Sequence, residues 1–167
     1  FMRCIEWAGV RLFESFVEMP RGWAANLLEE FFKHQGSVEK SHKIAGRWEN
    51  QYLTIDHAPS ARIPMRFARN MGKDGLDISS MILFEAPSGS PNPHPPFWFN
   101  VAGKGEKTGL HDHAQGSILS AVTYLQAEEN CGHLYFRKEG FEDLTIKPEV
   151  GKIIIFPPSL LHGVHAN

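Results

Sequence analysis

The chain has 167 residues, of which 42% are hydrophobic and 22% are charged, and these fractions are close to those of an average soluble globular protein. This length suits one domain spanning residues 1–167, and the composition excludes intrinsic disorder and collagen-like repeats. Seventeen basic against nineteen acidic residues give a formal net charge of −2, so neither nucleic acid nor an anionic membrane is an expected partner.

The cysteine content and the N-terminus bear on the cellular compartment. The two cysteines, Cys4 and Cys131, are too few for a disulfide scaffold and do not form a C-x-x-C motif. Charged residues interrupt the first sixteen positions, so no apolar run there is long enough for a signal peptide or a membrane span. These features predict a cytoplasmic protein.

The first part of the chain, residues 1–75, is expected to contribute mainly helical elements. Apolar residues from Trp23 to Phe32 recur with helical spacing and Gly36 follows them, which predicts a helix over 23–34. A second, shorter helix is predicted over 63–71, next to Pro64 and Gly72. Between the two, residues 47–55 alternate well enough for a strand.

The remainder, residues 76–167, is rich in short β-prone segments separated by turn residues. These segments are 78–84, 97–102, 117–126, 132–138, 144–147 and 152–156. Such spacing is typical of an all-β sandwich or barrel. The loops over 87–96, which contains five prolines, and 114–117 are expected to shape the mouth of that barrel.

Three of the nine histidines form the most informative pattern in the sequence. His111 and His113 are two residues apart, so that on a strand both imidazoles point to one face. His162 follows the strongly apolar segment 152–156 and a Pro157-Pro158 turn, with His165 as its rival for a third position. A local pair plus one distant histidine predicts an open metal site like those of non-haem iron proteins.

Four short motifs in series carry a resemblance to the 2-oxoglutarate and Fe(II)-dependent oxygenase superfamily. They read W-F-N at 98–100, H-D-H at 111–113, S-A-V-T-Y at 120–124 and F-P-P-S-L-L-H-G-V at 156–164. The stretch from Trp98 to Asn167 is most similar to a bacterial and phage subgroup with an H-x-H motif. The resemblance implies a mainly β fold, a double-stranded β-helix (a jelly-roll, cupin-like barrel), with the N-terminal helices packed outside.

The resemblance also implies roles for individual residues. His111 and His162 would be the two histidines of the iron site, and His113 would take the place of the usual carboxylate. Tyr124 and Asn100 stand where the superfamily places groups that hydrogen-bond the co-substrate 2-oxoglutarate. The superfamily commonly places an arginine for the distal carboxylate of 2-oxoglutarate after the last histidine; none lies between His162 and Asn167, so Arg137 is the expected substitute.

Two further hypotheses stay open at this point. A cupin-type three-histidine dioxygenase that does not use 2-oxoglutarate would need the same three ligands, although its usual glutamate is replaced here by Ser117 and Ile118. A barrel that serves only as a binding module is the other alternative. Asp112 is a candidate to support the ligands from outside the metal sphere.

The sequence therefore predicts an oxidoreductase, a non-haem Fe(II)-dependent dioxygenase with 2-oxoglutarate as co-substrate. Its expected partners are dioxygen and a small-molecule or peptide substrate, with no nucleic acid and no membrane. A homodimer is left open.

Overall fold

The architecture was obtained as a computed structural model that describes residues 2–113 and 117–167. Strands supply most of the regular structure and all named pairings are antiparallel. The strands are β1 Met2–Trp7, β2 Val10–Phe16, β3 Glu39–Ile44, β4 Arg47–Tyr52, β5 Thr108–His111, β6 Ser120–Thr123, β7 Leu134–Arg137, β8 Leu144–Ile146, β9 Lys152–Phe156 and β10 Leu161–Val164. The helices are α1 Trp23–Lys33 and α2 Arg62–Leu76.

Two four-stranded sheets form the centre of the fold. One has the strand order β1-β2-β9-β6 and the other β5-β10-β7-β8, while β3 and β4 form a separate hairpin. The predicted mainly β class is confirmed at the level of antiparallel sheets that are consistent with a sandwich.

Strand β9 explains how the molecule builds two cores. All five of its residues are buried, and alternation sends neighbouring side chains to opposite faces. Ile153 and Ile155 pack with α1 and α2 in one cluster, whereas Ile154 and Phe156 pack between the two sheets in another. The continuous apolar run in this segment therefore reflects a strand that is covered on both sides.

The N-terminal part differs from the expectation of mainly helical elements over residues 1–75. Both predicted helices are present, α2 being longer than expected, but four strands lie in the same range and β2 pairs with β9 in the central sheet. Charged residues interrupt both β1 and β2, yet β2 is buried on both faces, because Leu12 packs in the core between the sheets and Phe13 in the core against the helices. Ala8 and Gly9 join the two strands with positive φ at both positions, which is the geometry of a tight hairpin turn.

Two segments predicted to be strands are irregular in the structure. Residues 78–84 form no strand, and Met81 within them is 85% exposed. Residues 97–102 contribute a single bridge, between Phe99 and Gln51 of β4. Neither segment has a neighbouring strand along its whole length, and β propensity alone does not produce the hydrogen bonds of a sheet.

Residues 114–116, part of the loop expected at the mouth of the barrel, lie outside the described residues. Within the described ranges, neither helix has the length and apolar character needed to cross a membrane.

Candidate metal centre

The three predicted histidines converge at one end of the second sheet. His111 is the last residue of β5 and is the direct cross-strand partner of His162 on β10. Partners in an antiparallel register project to the same face, and the two ring centroids lie 4.3 Å apart.

His113 completes the cluster from just beyond the end of β5. Its backbone N–H donates to the Pro158 carbonyl at 2.7 Å, which fixes the chain against the turn that leads into β10. Its ring lies 4.9 Å from that of His111 and 5.2 Å from that of His162. One nitrogen from each of the three rings falls within 4.8 Å of the others, so the three can hold a metal ion.

Hydrogen bonds orient two of these rings. The Nδ1–H of His111 donates to the Gly109 carbonyl at 2.7 Å, and the Nδ1–H of His162 donates to the Leu160 carbonyl at 2.9 Å. A carbonyl can only accept, so this pattern places the proton on Nδ1 and leaves the Nε2 lone pair free for a metal ion.

Burial favours the metal-binding form of His162 and His113. His162 is only 4% exposed and contacts Phe156 at a centroid distance of 4.8 Å. This desolvation lowers the pKa of His162 to about 4, although the hydrogen bond to Leu160 acts in the opposite direction. Burial, followed by the charge of a protonated His111, also lowers the pKa of His113. Neutral imidazole is the ligand state, so these shifts favour metal binding at neutral pH.

Gly163 allows β10 to approach the neighbouring strands closely. A Cβ at this position would lie 2.7 Å from the Tyr135 hydroxyl and 2.9 Å from the Thr108 carbonyl oxygen. Any larger residue would push β10 away from β5 and so separate His162 from His111.

Tyr124 offers an unused polar group in the interior. Val122 packs in the core between the sheets, and Tyr124 lies two positions further, so alternation directs it to the same side. Its hydroxyl is buried and has no hydrogen-bond partner among the described residues. Burial is also the main cause of its raised pKa, which keeps the phenol protonated and able to donate.

Asn100 and Arg137, the other residues predicted to bind the co-substrate, each have polar partners outside the histidine cluster. The Asn100 side chain is engaged by Arg47, Glu49 and Thr108 in a polar network beside β4. Arg137 is paired with Leu161 across β7 and β10, so it projects to the face opposite that of His162.

Arg137 forms a two-pronged ion pair with Asp143, at 2.7 and 3.0 Å, on the exposed side of the sheet. The expected substitute for a carboxylate-binding arginine therefore lies on the wrong face. His165, the rival third ligand, stacks on Tyr135 and is not part of the cluster. Asp112, predicted to support the ligands from outside, is not one of the three clustered residues, but its negative charge acts on His113 and His162 in the direction that raises their pKa.

Sequence reasoning assigned no role to an aromatic group beside His113. Trp98 lies 5.2 Å from the His113 ring and 6.2 Å from the ring of Tyr52, which in turn stacks on His94 at 4.1 Å. His94 belongs to the proline-rich loop 87–96. The alternation of Trp48, Asn50 and Tyr52 along β4 was the available signal that one face of this hairpin carries aromatic side chains.

Comparisons with known proteins are consistent with the fold. No protein family model and no curated protein sequence matches the chain. Among solved structures, a prolyl-4-hydroxylase from Pseudomonas putida matches 93% of this chain and 84% of its own, with a TM-score of 0.65 and 15% identity. A 2OG-Fe(II) oxygenase family oxidoreductase from Burkholderia pseudomallei matches 99% of this chain and 65% of its own, with a TM-score of 0.48 and 12% identity. The chain therefore shares its fold with the Pseudomonas putida prolyl-4-hydroxylase.

Proposed function

We propose that the chain is a non-haem Fe(II)-dependent dioxygenase that hydroxylates its substrate with 2-oxoglutarate as co-substrate. The observation that carries this proposal is the convergence of His111, His113 and His162, each contributing one nitrogen to a group within 4.8 Å. The likeness to the Pseudomonas putida prolyl-4-hydroxylase supports it through the fold. A double-stranded β-helix, in which the two sheets face each other across the site, is the fold that this proposal implies.

The residues present fit the proposed metal and co-substrate. Three imidazoles, two of them oriented by hydrogen bonds, suit a divalent first-row ion and leave coordination positions for other ligands. The buried hydroxyl of Tyr124, which has no hydrogen-bond partner in the described part of the chain, can donate to a carboxylate of 2-oxoglutarate.

When bound, iron and 2-oxoglutarate supply the oxidative chemistry: one atom of dioxygen enters succinate as CO₂ is lost, and the other enters a substrate C–H bond. The chain's own residues hold and shield the reacting groups. The carbonyls of Gly109 and Leu160 fix the two strand histidines, and the phenyl rings of Phe136 and Phe156 exclude water from the His162 side.

A second candidate is favoured by one specific feature, the imidazole of His113 where a carboxylate is usual. A three-histidine dioxygenase that does not use 2-oxoglutarate would keep the same ligands. It is further favoured by the position of Arg137, which is unavailable to anchor a distal carboxylate.

Anaerobic titration separates these possibilities. The protein should bind Fe(II), and 2-oxoglutarate should then produce a weak visible charge-transfer band. His162→Ala should weaken iron binding by more than about 100-fold, since even the outer partners of metal ligands cost ~10- to 100-fold. His165→Ala is the matched control and should bind iron like the parent protein.

Iron binding without the charge-transfer band would move the assignment to the second candidate. Equal iron binding by the parent protein and His162→Ala would refute both and favour a binding module.

A further inference from the structure

Trp98 combines exposure with proximity to the histidine cluster. It is 36% exposed, although its ring lies 5.2 Å from the ring of His113. A large aromatic side chain that is partly open to solvent beside a candidate reaction centre is positioned to contact whatever binds there.

The support behind Trp98 is rigid. Tyr52 is 5% exposed, and its hydroxyl accepts hydrogen bonds from Asn50 at 2.8 Å and from Ser41 at 3.2 Å. His94 stacks on the Tyr52 ring with an interplanar angle of 3°, and the Trp98 ring meets Tyr52 edge-on. The indole ring of Trp98 therefore packs against the Tyr52 side chain, which is itself held in place on β4.

The backbone on the C-terminal side of Trp98 is also held. Phe99 exchanges two hydrogen bonds with Gln51, at 2.8 and 3.0 Å. Arg47, whose side chain is 9% exposed, donates to the Val101 carbonyl at 2.8 and 3.0 Å and to the Asn100 side chain. A buried guanidinium is an unusual means of fixing a connecting segment, and it leaves the indole little freedom to rearrange.

We propose that Trp98 is a specificity-determining residue that binds a neutral, C–H-rich ring or aliphatic group of the substrate against its exposed face. This inference rests on the proposed function, because the histidine-bound metal defines where the reacting group must lie. A group stacked on Trp98 lies beside His113 and hence next to that metal.

The ligand class follows from the charges around this position. An indole face attracts apolar groups and cations, but a divalent ion held by the adjacent histidines repels a cation at this distance. An anionic group is not attracted by the indole face, because the face carries the negative part of the ring quadrupole. A neutral group that presents C–H bonds is attracted by the indole face and is not repelled by the metal ion.

The test uses the Zn(II)-loaded protein and four capped amino acids, the N-acetyl methylamides of proline, lysine, glutamate and glycine. Binding is followed by the indole N–H signals in ¹H–¹⁵N NMR, with the Trp98 signal identified by its loss in Trp98→Phe. The proline compound should shift the Trp98 signal and bind more tightly than the other three.

Trp98→Ala should weaken binding of the proline compound by about tenfold, the scale of one aromatic contact together with its buried area, and Trp98→Phe should retain part of the affinity. Trp48→Ala is the matched control, since Trp48 is exposed to the same 36%. It should leave the affinity unchanged.

A stronger response to the lysine or glutamate compound, an equal shift of the Trp48 signal, or undiminished binding by Trp98→Ala would overturn the proposal. Metal binding is measured on the same samples. If zinc and iron bind but the proline compound does not perturb Trp98, the role of Trp98 fails while the metal centre stands; if no metal binds, the proposed function fails.

Discussion

His162 should make the metal-free protein sensitive to acid. Burial lowers its pKa from the ordinary 6.5 to about 4 in the folded state. Between these values the unfolded chain binds the proton more readily than the folded chain does. The free energy of unfolding should therefore be highest above pH 6.5 and should fall as the pH is lowered toward 4.

The size of the effect follows from the two pKa values. At pH 5 the unfolded imidazole is almost fully protonated and the folded one is almost fully neutral, which corresponds to a loss of about 2 kcal/mol relative to neutral pH. His162→Gln cannot take up this proton, so its unfolding free energy should depend less on pH by the same amount.

Urea unfolding of the chelator-treated protein at pH 7 and pH 5 measures this difference. The parent protein should lose about 2 kcal/mol more than His162→Gln between the two conditions. Equal losses in the two proteins would show that the His162 ring is solvated or can move out on protonation, and would refute the argument from burial.

Three further changes test other parts of the structure. Arg47→Ala should lower the free energy of unfolding by roughly 3–5 kcal/mol, because it leaves the buried Glu49 carboxylate without its guanidinium partner; urea unfolding measures the loss. Tyr124→Phe should leave the stability of the metal-free protein almost unchanged, since the hydroxyl has no hydrogen-bond partner among the described residues, but should weaken 2-oxoglutarate binding to the Fe(II) protein by about tenfold in the anaerobic titration. Gly132→Ala should lower the melting temperature markedly, because its Cβ would clash with the backbone carbonyl of His165.

Each of these has a control within the chain. Arg137→Ala removes an exposed ion pair and should change stability little. Gly36→Ala adds a Cβ that has no heavy atom of the described residues within 4 Å and should be tolerated. Contrary results would be an Arg47 variant as stable as the Arg137 variant, unchanged 2-oxoglutarate affinity in Tyr124→Phe, or equal melting temperatures for the two glycine variants.

The parts of the fold that were predictable have strong local signals. The apolar stripe of α1 and the continuous apolar run of β9 each identify an element by its period or burial. The N-terminal hairpin was missed because apolar and charged residues do not keep to separate faces along β1 and β2, and the adjacent residues Leu12 and Phe13 are both buried. Their burial depends on the pairing of β2 with β9, some 140 residues further along the chain.

The candidate site likewise combines features that local sequence patterns predict with features that depend on distant contacts. The pairing of His111 with His162 was predictable because an i, i+2 pair and a histidine after a buried strand are local patterns. The position of Arg137 was not, because a one-residue difference in register decides which face of β7 it occupies. The partners of Asn100 depend on a contact with β4, which is about fifty residues away in sequence.

Strand β9 ties the histidine centre and the helical layer into one cooperative unit. Ile153 and Ile155 anchor the helices, while Phe156, the next residue along, packs against the ring of His162. Free energy gained when a metal ion binds the histidines is therefore not confined to the second sheet. Loaded protein should resist opening of α1 and α2 as well, so that amide protons far from the metal exchange more slowly when it is bound.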